Sequence, residues 1–485
     1  MATSDTTPNV TSRSISSSPK AVADLPDLAV EMIESLDLTK PLAAGKGNGW
    51  DEKKDEENVA TKSWARPCPA SQKSIRTQNP IRAIVDPIVK SIQSGLERED
   101  GKDHISLALG DPTVGDSLPP CQIALDAVVE AVLTKSHAAG YVNACGLPAA
   151  RQAIAEYHSS SLQSVTSENV IIASGCSGAL ELALTSLLDP GTCILVPQPG
   201  FPLYQVIAES HGASILPYQL IPERNWEINL EHLESLLLQR KRDVDIRGIV
   251  VNNPSNPTGA VFSLQHLEEL VALCDKYQLP IIADEVYGDL TFGNHKFFPL
   301  AQVAARQHQV PVITTSGLAK QYLLPGWRVG WVVFHDNTHG SLQKVEAGAK
   351  RLAQVILGAS HLVQSVIPKL LAMSPEMEAW KRTLRGKLEK QANFLHQQLS
   401  SCHGLTTLAP QGAMYSMVCI DLHILDVQCD IDFCTKLLEE ENVFVLPGSA
   451  FGRQNIFRVV FCCDEPILEA AANRIAQFCL RHARC

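Results

Sequence analysis

Lys320 lies in a stretch of small and apolar residues, which is an unusual setting for a lysine. Lysine side chains are mostly solvated, and a lysine that loses its water has a depressed pKa. Such an amine is a nucleophile that can form a Schiff base. The stretch, residues 314–331, follows an apolar run at 310–313 that predicts a buried strand, and it also carries Arg328. A lysine whose stem lies on the surface while its amine stays in water would fit the same pattern.

A loop of small residues at 174–178 follows another apolar run, 170–173, and opens a helical pattern. It contains Gly175, Cys176 and Ser177. Free N–H groups and the positive end of the helix dipole make such a loop a candidate phosphate site. It matches neither the Walker nor the GxGxxG pattern, and a tight turn with a serine cap is the alternative.

Polar residues also follow two further strand-like runs. Asn256 lies in a turn at 252–259 with two Asn-Pro steps, where ordinary turn chemistry is the alternative. Its bond to Pro257 is a candidate cis peptide. Asp284 ends an apolar run and is followed by Tyr287. A buried carboxylate needs a cation or several donors, unless it only caps a helix.

These strand ends are expected to meet at one edge, because ligands in open α/β sheets bind outside the carboxyl ends of the strands. A reactive amine, a buried acid with a tyrosine, an amide and a phosphate loop are together what pyridoxal phosphate requires. The pattern therefore predicts a pyridoxal 5'-phosphate site with Lys320 as the partner of the aldehyde.

Seven apolar runs alternate with helical patterns in the middle of the chain, which predicts an α/β fold with a mostly parallel seven-stranded sheet covered by helices. The later sequence predicts long helices over 341–400, strands at 412–420 and 456–461, and a helix over 465–481, which is typical of a smaller α+β domain. The seven runs are 170–173, 193–196, 214–216, 246–251, 280–283, 310–313 and 331–334.

Four segments follow from this division. Residues 1–73 are rich in Ser, Thr, Pro and mixed charge and are expected to form a disordered or loosely docked tail. Residues 74–116 are expected to belong to the small domain, with 79–85 extended and a helix that starts at Asp86 and Pro87. Residues 117–345 are expected to form the large cofactor-binding domain, and 346–485 a connecting helix and the rest of the small domain.

The bulk composition limits the class of protein. The chain has 485 residues, a formal net charge of -11 and 45% hydrophobic residues, which argues against nucleic acid or a membrane as a partner. Its 14 cysteines include no CxxC pair, so we expect no metal site, and we expect the cysteines to be reduced thiols. We therefore expect a cytoplasmic protein, and rank a mitochondrial one second because the start is poor in arginine.

Taken together, these motifs resemble the class I, fold-type I pyridoxal-phosphate aminotransferases, from about residue 75 to the C-terminus. The stretch from Lys320 to Arg328, with its Pro-Gly-Trp-Arg sequence, is the most specific of them. The resemblance implies an obligate homodimer with the site at the subunit interface. The stretches that carry the resemblance are 79–86, 109–113, 252–259, 283–290, 314–331 and 457–460.

The resemblance also implies a role for each matched residue at the cofactor. Lys320 forms the Schiff base and later carries the proton, Asp284 keeps the pyridine nitrogen protonated, and Tyr287 and Asn256 bind the ring oxygen. The phosphate is bound by Gly175, Cys176, Ser177, Ser316 and Arg328. Phe201 stacks on the ring, and Tyr141 reaches the phosphate of the neighbouring subunit. A plain core phenylalanine and a surface loop tyrosine are the alternatives for the last two.

Arg458 interrupts the apolar run at 456–461, and a charge there needs a partner. The resemblance implies that it binds the substrate α-carboxylate, with Gly110 and Asn256 as further substrate contacts; an internal salt bridge is the alternative. The implied reaction moves the amino group of tyrosine, or of another aromatic or neutral amino acid, to 2-oxoglutarate or another oxo acid. The alternatives are a broad-range alanine or methionine transaminase, a C–S lyase of the same fold, and a non-catalytic cofactor-binding protein.

Overall fold

The computed structural model describes residues 68–93, 101–113, 118–134, 136–240, 244–307, 310–336 and 340–484. The described residues all belong to one compact unit. The tail predicted over 1–73 lies outside them except for its last residues, and the bounds of the predicted domains stay a prediction. No helix in the described ranges is both long and apolar enough to cross a membrane.

Strands and helices are numbered in chain order. The strands are β1 (Ile105–Ser106), β2 (Val170–Ser174), β3 (Thr192–Gln198), β4 (Ser214–Ile221), β5 (Glu227–Ile228), β6 (Asp245–Asn252), β7 (Ile281–Asp284), β8 (Val312–Gly317), β9 (Val329–His335), β10 (Leu405–Thr407), β11 (Tyr415–Ile420), β12 (Val443–Phe444), β13 (Leu446–Pro447) and β14 (Ile456–Val460).

The helices follow the same numbering. They are α1 (Gln72–Arg76), α2 (Pro80–Gln93), α3 (Gln122–Thr134), α4 (Pro148–His158), α5 (Gly175–Thr185), α6 (Leu203–Ser210), α7 (Leu230–Arg240), α8 (Leu264–Lys276), α9 (Leu300–Gln307), α10 (Leu318–Gln321), α11 (Gln343–Ile356), α12 (His361–Gln364), α13 (Ile367–Leu371), α14 (Pro375–Ser400), α15 (Asp430–Glu441) and α16 (Glu465–Arg481).

The large sheet has eight strands in the order β2-β9-β8-β7-β6-β3-β4-β5. The pairs from β8 through β7, β6 and β3 to β4 are parallel, whereas β9 and β5 run antiparallel to their neighbours. All seven predicted strands are present, so the prediction of an α/β fold with a mostly parallel sheet is confirmed. The eighth strand, β5, was not predicted, because two residues are too short a run to show a pattern.

Helices cover both faces of this sheet, which explains why its central strands consist mainly of buried residues. Successive side chains of β7 alternate between the faces: Ile282 packs with α5 and α6, whereas Ile281 and Ala283 pack with α7, α8 and α9. This alternation follows from the two-residue period of a strand. Every residue of β7, β8 and β9 is buried.

A second, antiparallel sheet has the order β10-β11-β14-β13. Its core contains Phe433 of α15, Phe457 of β14 and Phe478 of α16, which are all fully buried. β1 pairs in parallel with β12, through Ile105 and Val443. The segment that contains β1 is thus hydrogen-bonded to the C-terminal part of the chain, which supports its predicted place in the smaller domain.

The start of the body differs from the prediction. Helix α2 begins at Pro80 and contains Pro87, so the extended segment predicted over 79–85 is wrong from residue 80 onward, and so is the helix start at Asp86. The reason is Asn79, whose Oδ1 accepts hydrogen bonds from the backbone N–H groups of Ile81 (3.1 Å) and Arg82 (3.3 Å). Asn79 therefore caps the helix, and proline fits its first position because that N–H needs no partner.

Candidate active site

The ends of β6, β7 and β8 lie side by side because these strands are parallel neighbours. In the register of the sheet, Asp284 of β7 is opposite Asn252 of β6 and Thr315 of β8. Asn252 also connects two predicted site residues: its Nδ2 donates to the Asp284 carbonyl (3.0 Å) and its Oδ1 accepts from the Asn256 N–H (2.7 Å). The Asn256–Pro257 peptide is cis, as predicted.

Asp284 is only 3% exposed, and its carboxylate accepts three hydrogen bonds. The Tyr204 hydroxyl donates to Oδ2 (2.5 Å), while the Val286 N–H (3.4 Å) and the Cys176 thiol (3.7 Å) donate to Oδ1. Burial raises the pKa of Asp284 to about 6, against the opposing effect of these three donors. The carboxylate lacks a cationic partner among the described residues, so a ligand N–H⁺ facing it would be stabilised.

Lys320 is half-buried on the short helix α10, directly after β8. Its Nζ donates a hydrogen bond to the carbonyl oxygen of Gly110, in the loop after β1. The amine thus lies against a loop from a distant part of the chain. This geometry argues against the alternative of a surface lysine whose amine is bound only by water.

Arg458 lies on β14 and is 3% exposed. Its Nη1 donates to Oδ1 of Asn256 (2.9 Å) and its Nη2 to the carbonyl oxygen of Ala108. Its Nε is buried and has no hydrogen-bond partner among the described residues. The guanidinium carbon lies 4.5 Å from the ring centroid of Tyr415 and 4.7 Å from that of Phe451.

No carboxylate of the described chain forms an ion pair with Arg458, which removes the support for an internal salt bridge. Burial lowers the pKa of this guanidinium, because the charged form loses water without gaining an anion. A buried cation with an unused donor is a binding site for an anionic group of a ligand.

Tyr287 is buried three residues after Asp284. Its hydroxyl oxygen lies 2.7 Å from that of Tyr415, and the two rings meet edge to face with centroids 5.7 Å apart. Burial raises the pKa of Tyr287 well above its ordinary value, so its hydroxyl stays protonated and can donate.

The predicted phosphate loop and Arg328 come together at the start of α5. Gly175 is the first residue of this helix, with φ at +71°, and its N–H donates to the Arg328 carbonyl (3.0 Å). A Cβ at Gly175 would lie 2.6 Å from Nη2 of Arg328, so only glycine leaves space for the guanidinium. Ser174 makes no side-chain capping bond to this turn, which continues with Cys176 and Ser177.

Three predicted residues have other surroundings. The Ser316 hydroxyl donates to the Glu285 carbonyl (3.4 Å) and accepts from Gln321 Nε2 (3.3 Å), so it faces the loop after β7. Tyr141 is 95% exposed. Phe201 is half-buried and lies edge to face against Tyr204, with ring centroids 5.8 Å apart. Tyr204 in turn bonds to Asp284, so a single residue connects Phe201 with that carboxylate.

Two tyrosines at the site, Tyr204 and Tyr415, were missed by sequence reasoning. Tyr204 lies on α6, three residues after Phe201, and Tyr415 lies on a strand of the second sheet. The only signal for either was a hydroxyl inside an otherwise apolar segment. That signal is weak, because buried tyrosines commonly bond to backbone carbonyls, as Tyr218 does with Val250 (2.7 Å).

The side chains described above suit the functional groups of pyridoxal 5'-phosphate. The amine of Lys320, the buried acid Asp284 and the Tyr287 hydroxyl suit the aldehyde, pyridine and hydroxyl groups of this cofactor. Gly175, pressed against Arg328 at a helix N-terminus, suits its phosphate.

Comparisons with known proteins agree with this chemistry. The sequence model of the family "Aminotransferase class I and II" matches residues 102–475. Tyrosine aminotransferase of Dictyostelium discoideum is 40% identical over 432 residues, which cover 88% of this chain and 100% of the relative.

Solved structures are similar as well. Tyrosine aminotransferase from Leishmania infantum has a TM-score of 0.78 at 32% identity and covers 86% of this chain and 100% of its own. Alanine aminotransferase from Pyrococcus furiosus has a TM-score of 0.76 at 28% identity and covers 85% of this chain and 100% of its own. The chain therefore belongs to the class I and II aminotransferases, a family of pyridoxal-phosphate-dependent enzymes.

Proposed function

We propose that this aminotransferase takes its amino group from tyrosine, and from other aromatic or neutral amino acids, and passes it to 2-oxoglutarate or another oxo acid. One structural observation supports an α-amino acid as the substrate. Lys320 Nζ bonds to the Gly110 carbonyl and Arg458 Nη2 to the Ala108 carbonyl, so one short segment holds both side chains. Lys320 marks the place where the substrate amine would react, and Arg458 can bind a carboxylate. Their common attachment to residues 108–110 suits the amine and the carboxylate of an α-amino acid.

When bound, pyridoxal phosphate accepts the amino group and withdraws electrons from the substrate α-carbon. In this proposal Asp284 holds the proton on the pyridine nitrogen, and Tyr287 and Asn256 donate hydrogen bonds to the ring oxygen. The first turn of α5, from Gly175 to Ser177, binds the phosphate together with Arg328. Ser316 is supported less, because its hydroxyl bonds to Glu285.

Lys320 has two tasks in the proposed reaction. Its Nζ would hold the cofactor through the aldehyde carbon, and as a free amine it would take the proton from the substrate α-carbon. The Gly110 carbonyl holds Nζ by a hydrogen bond. Arg458 orients the substrate by binding its α-carboxylate, and the orphaned Nε adds a donor for that purpose.

The likeness to an alanine aminotransferase favours a second candidate, a transaminase of broad range that also accepts alanine. Lys320 and Arg458 contact only groups that all α-amino acids share, so their geometry supports both candidates equally. A C–S lyase would release ammonia without an oxo acid. An assay with and without 2-oxoglutarate distinguishes it from either transaminase.

We further propose that the enzyme is a homodimer in which Tyr141 reaches the cofactor phosphate of the partner. Tyr141 is 95% exposed, and α3 presents Val129 (58% exposed), Val132 (61%) and Leu133 (78%) to solvent. Large apolar side chains exposed side by side are typical of a surface that another chain covers. The mass of the purified protein in solution tests this proposal, and a monomer that is fully active would contradict it.

A cytoplasmic location is also part of the proposal. Every cysteine of the described chain is a free thiol, which is what a reducing compartment maintains. Fractionation of cells that make the tagged protein tests the proposal, and recovery in mitochondria would contradict it.

The Lys320→Ala variant tests the proposed reaction. It should lose turnover of tyrosine with 2-oxoglutarate by about a thousandfold or more, because both the covalent link and the proton transfer depend on this amine. Lys276→Ala is the matched control, because Lys276 forms a surface pair with Glu234. Cofactor binding, followed by the quenching of tryptophan fluorescence, should persist in both variants.

Mixing the wild-type enzyme with single amino acids shows which donors it uses. Tyrosine should remove the visible absorbance of the lysine-bound cofactor, and 2-oxoglutarate should restore it. If no amino acid changes this absorbance, or if Lys320→Ala transaminates normally, the proposed function is wrong.

A further inference from the structure

Tyr415 contacts three of the predicted site residues at once, although it lies on the second sheet. It is 3% exposed on β11. Its hydroxyl oxygen lies 2.7 Å from that of Tyr287, and its ring centroid lies 4.5 Å from the guanidinium carbon of Arg458. The third contact is with Gly110, where a Cβ would lie 2.1 Å from the Tyr415 hydroxyl oxygen.

The contact with Gly110 shows that the chain leaves space for this hydroxyl. Any larger residue at 110 would displace the Tyr415 ring, because the same Cβ would also lie 2.7 Å from its Cε1 and Cζ atoms. Gly110 is also the residue whose carbonyl binds Lys320. The position of Tyr415 is therefore built together with that of the reactive amine.

The ring and the hydroxyl of Tyr415 have separate partners. The ring lies against the Arg458 guanidinium, as the Phe451 ring also does, and a phenylalanine would do this equally well. The hydroxyl instead bonds to the Tyr287 hydroxyl. When Tyr415 donates in this pair, the Tyr287 proton is free to point at a ligand, and a hydroxyl that accepts one bond donates a second one more strongly.

Few other charged or titratable groups act on Tyr287. Besides Tyr415, the groups that affect its protonation are Asp284, at the end of β7, and Arg458, on β14. Tyr204, on α6, also interacts electrostatically with Tyr287. Removal of the Tyr415 hydroxyl therefore changes the hydrogen bonding of Tyr287 while both charges stay in place.

We propose that Tyr415 is a positioning residue, whose hydroxyl directs the Tyr287 proton toward the cofactor oxygen and whose ring holds Arg458 for the substrate carboxylate. The inference rests on the roles of Tyr287 and Arg458 in the proposed function. It adds a direct physical link between the carboxylate site and the cofactor site, which both depend on one side chain.

The variants Tyr415→Phe, Tyr287→Phe and the double variant test the hydroxyl. The readout is the pH midpoint at which the visible absorbance of the lysine-bound cofactor changes. A donor to the ring oxygen stabilises its ionised form and lowers this midpoint, so Tyr415→Phe should raise it by roughly half to one pH unit. Tyr287→Phe should raise it further, and the double variant should match Tyr287→Phe alone, because Tyr415 acts through Tyr287.

The variant Tyr415→Leu tests the ring. It should raise KM for tyrosine by roughly tenfold while Tyr415→Phe leaves KM within about twofold, because only the leucine variant removes the aromatic ring of residue 415 from beside Arg458. Tyr218→Phe is the matched control, since it removes a buried tyrosine hydroxyl that bonds to the Val250 carbonyl away from the site. It should change neither the midpoint nor KM.

Two results would overturn the inference: an unchanged midpoint in Tyr415→Phe, or shifts from Tyr415→Phe and Tyr287→Phe that simply add. Thermal unfolding of the cofactor-free variants shows whether they fold, and the phenylalanine variant keeps all of the ring packing. A wild-type enzyme without a tyrosine-dependent change in absorbance would instead contradict the proposed function. The two failures are thus distinguishable.

Discussion

The hydroxyl oxygen of Tyr204 lies 2.5 Å from Oδ2 of Asp284, and both side chains are buried. This is the shortest of the three hydrogen bonds to that carboxylate, ahead of those from Val286 (3.4 Å) and Cys176 (3.7 Å). Burial raises the pKa of Asp284 from 3.8 to about 6, and the Tyr204 bond opposes this rise. Tyr204 thus helps to keep ionised the acid that we propose to hold the pyridine proton.

We expect the Tyr204→Phe variant to lose activity and cofactor affinity at mildly acidic pH. A hydrogen bond to a charged group is worth about 1.5–3 kcal/mol, so its loss should raise the pKa of Asp284 by roughly one to two units. The acidic limb of the pH profile of kcat/KM, and of cofactor affinity measured by fluorescence, should move to higher pH by a similar amount.

Tyr277→Phe is the control, because Tyr277 also donates to a carboxylate, that of Glu234 (2.9 Å), but on the surface. Its pH profile should match that of the wild type. The sign for stability follows from the same shift: since folding raises the pKa of Asp284, its ionisation destabilises the cofactor-free protein above about pH 6 and has no such effect well below the ordinary pKa. An unmoved acidic limb in Tyr204→Phe would show that Tyr204 does not hold Asp284 ionised.

Asp284, Asn256 and Lys320 could be predicted as neighbours because each follows a strand-like run, and parallel strands end at a common edge. Tyr204 and Tyr415 could not. One comes from a helix and the other from a different sheet, so only three-dimensional packing brings them to this edge. Ser316 shows a different limit of sequence reasoning. Its place on a strand could be predicted, but the direction of its hydroxyl, which bonds to the Glu285 carbonyl, could not.

The fold was predictable for the same reason, since buried parallel strands are continuous apolar runs. The exceptions were set by local contacts. The two residues of β5 make no pattern of their own, and α2 runs through Pro87 because Asn79 caps it earlier and Ile84 and Val85 bury its apolar face.

We expect Gly175→Ala to weaken cofactor binding by roughly tenfold or more. Gly175 has a φ of +71°, which is unfavourable for alanine, and the new Cβ would lie 2.6 Å from Nη2 of Arg328. Backbone strain of this kind costs about 1–3 kcal/mol, and displacement of Arg328 would remove the charged donor that we propose for the phosphate. The dissociation constant of pyridoxal phosphate, from titration of the cofactor-free protein, measures the effect.

Gly326→Ala is the control for this prediction. Gly326 lies only two residues before Arg328, but a Cβ there would meet no atom within 4 Å. Its affinity for pyridoxal phosphate should stay within about twofold of the wild type. Equal affinities of Gly175→Ala and the wild type would mean that the phosphate binds elsewhere.

Arg458→Lys should lower kcat/KM for tyrosine by roughly a hundredfold. Lysine keeps the charge but cannot donate to Asn256 and Ala108 and still present a second donor to a carboxylate. Tyramine, which is tyrosine without its carboxylate, gives the sharper comparison. The wild type should strongly prefer tyrosine to tyramine as an amino donor, and the variant should lose most of that preference. A preference that stays intact would assign the carboxylate to another group.

Two histidines in the core, His335 and His158, are expected to make the protein less stable in acid. His335 is 2% exposed, and neither ring nitrogen has a hydrogen-bond partner among the described residues. Its ring centroid lies 6.1 Å from that of His158, whose Nε2 accepts a hydrogen bond from Trp331 Nε1 (2.9 Å). Burial lowers the pKa of His335 to about 3, with a contribution from His158, and burial lowers that of His158 to about 4.

The direction in which stability changes with pH depends on whether the folded or the unfolded chain binds more protons. Below the ordinary histidine pKa of 6.5, the unfolded chain takes up protons that the buried rings do not. The stability that these rings contribute in their neutral form is therefore complete above pH 6.5 and declines as the pH falls toward 4. Each histidine makes the free energy of unfolding fall by up to about 1.4 kcal/mol per pH unit in that interval.

The His335→Phe variant should show a smaller drop in thermal midpoint between neutral pH and pH about 5 than the wild type does, because phenylalanine cannot titrate and the lost nitrogens had no partners. His423→Phe is the control: His423 is exposed, so its replacement should leave the pH dependence as it is. Equal drops in His335→Phe and the wild type would show that the unfolded chain gains no proton at His335 relative to the fold. Carboxylates and His158 would then account for the acid sensitivity.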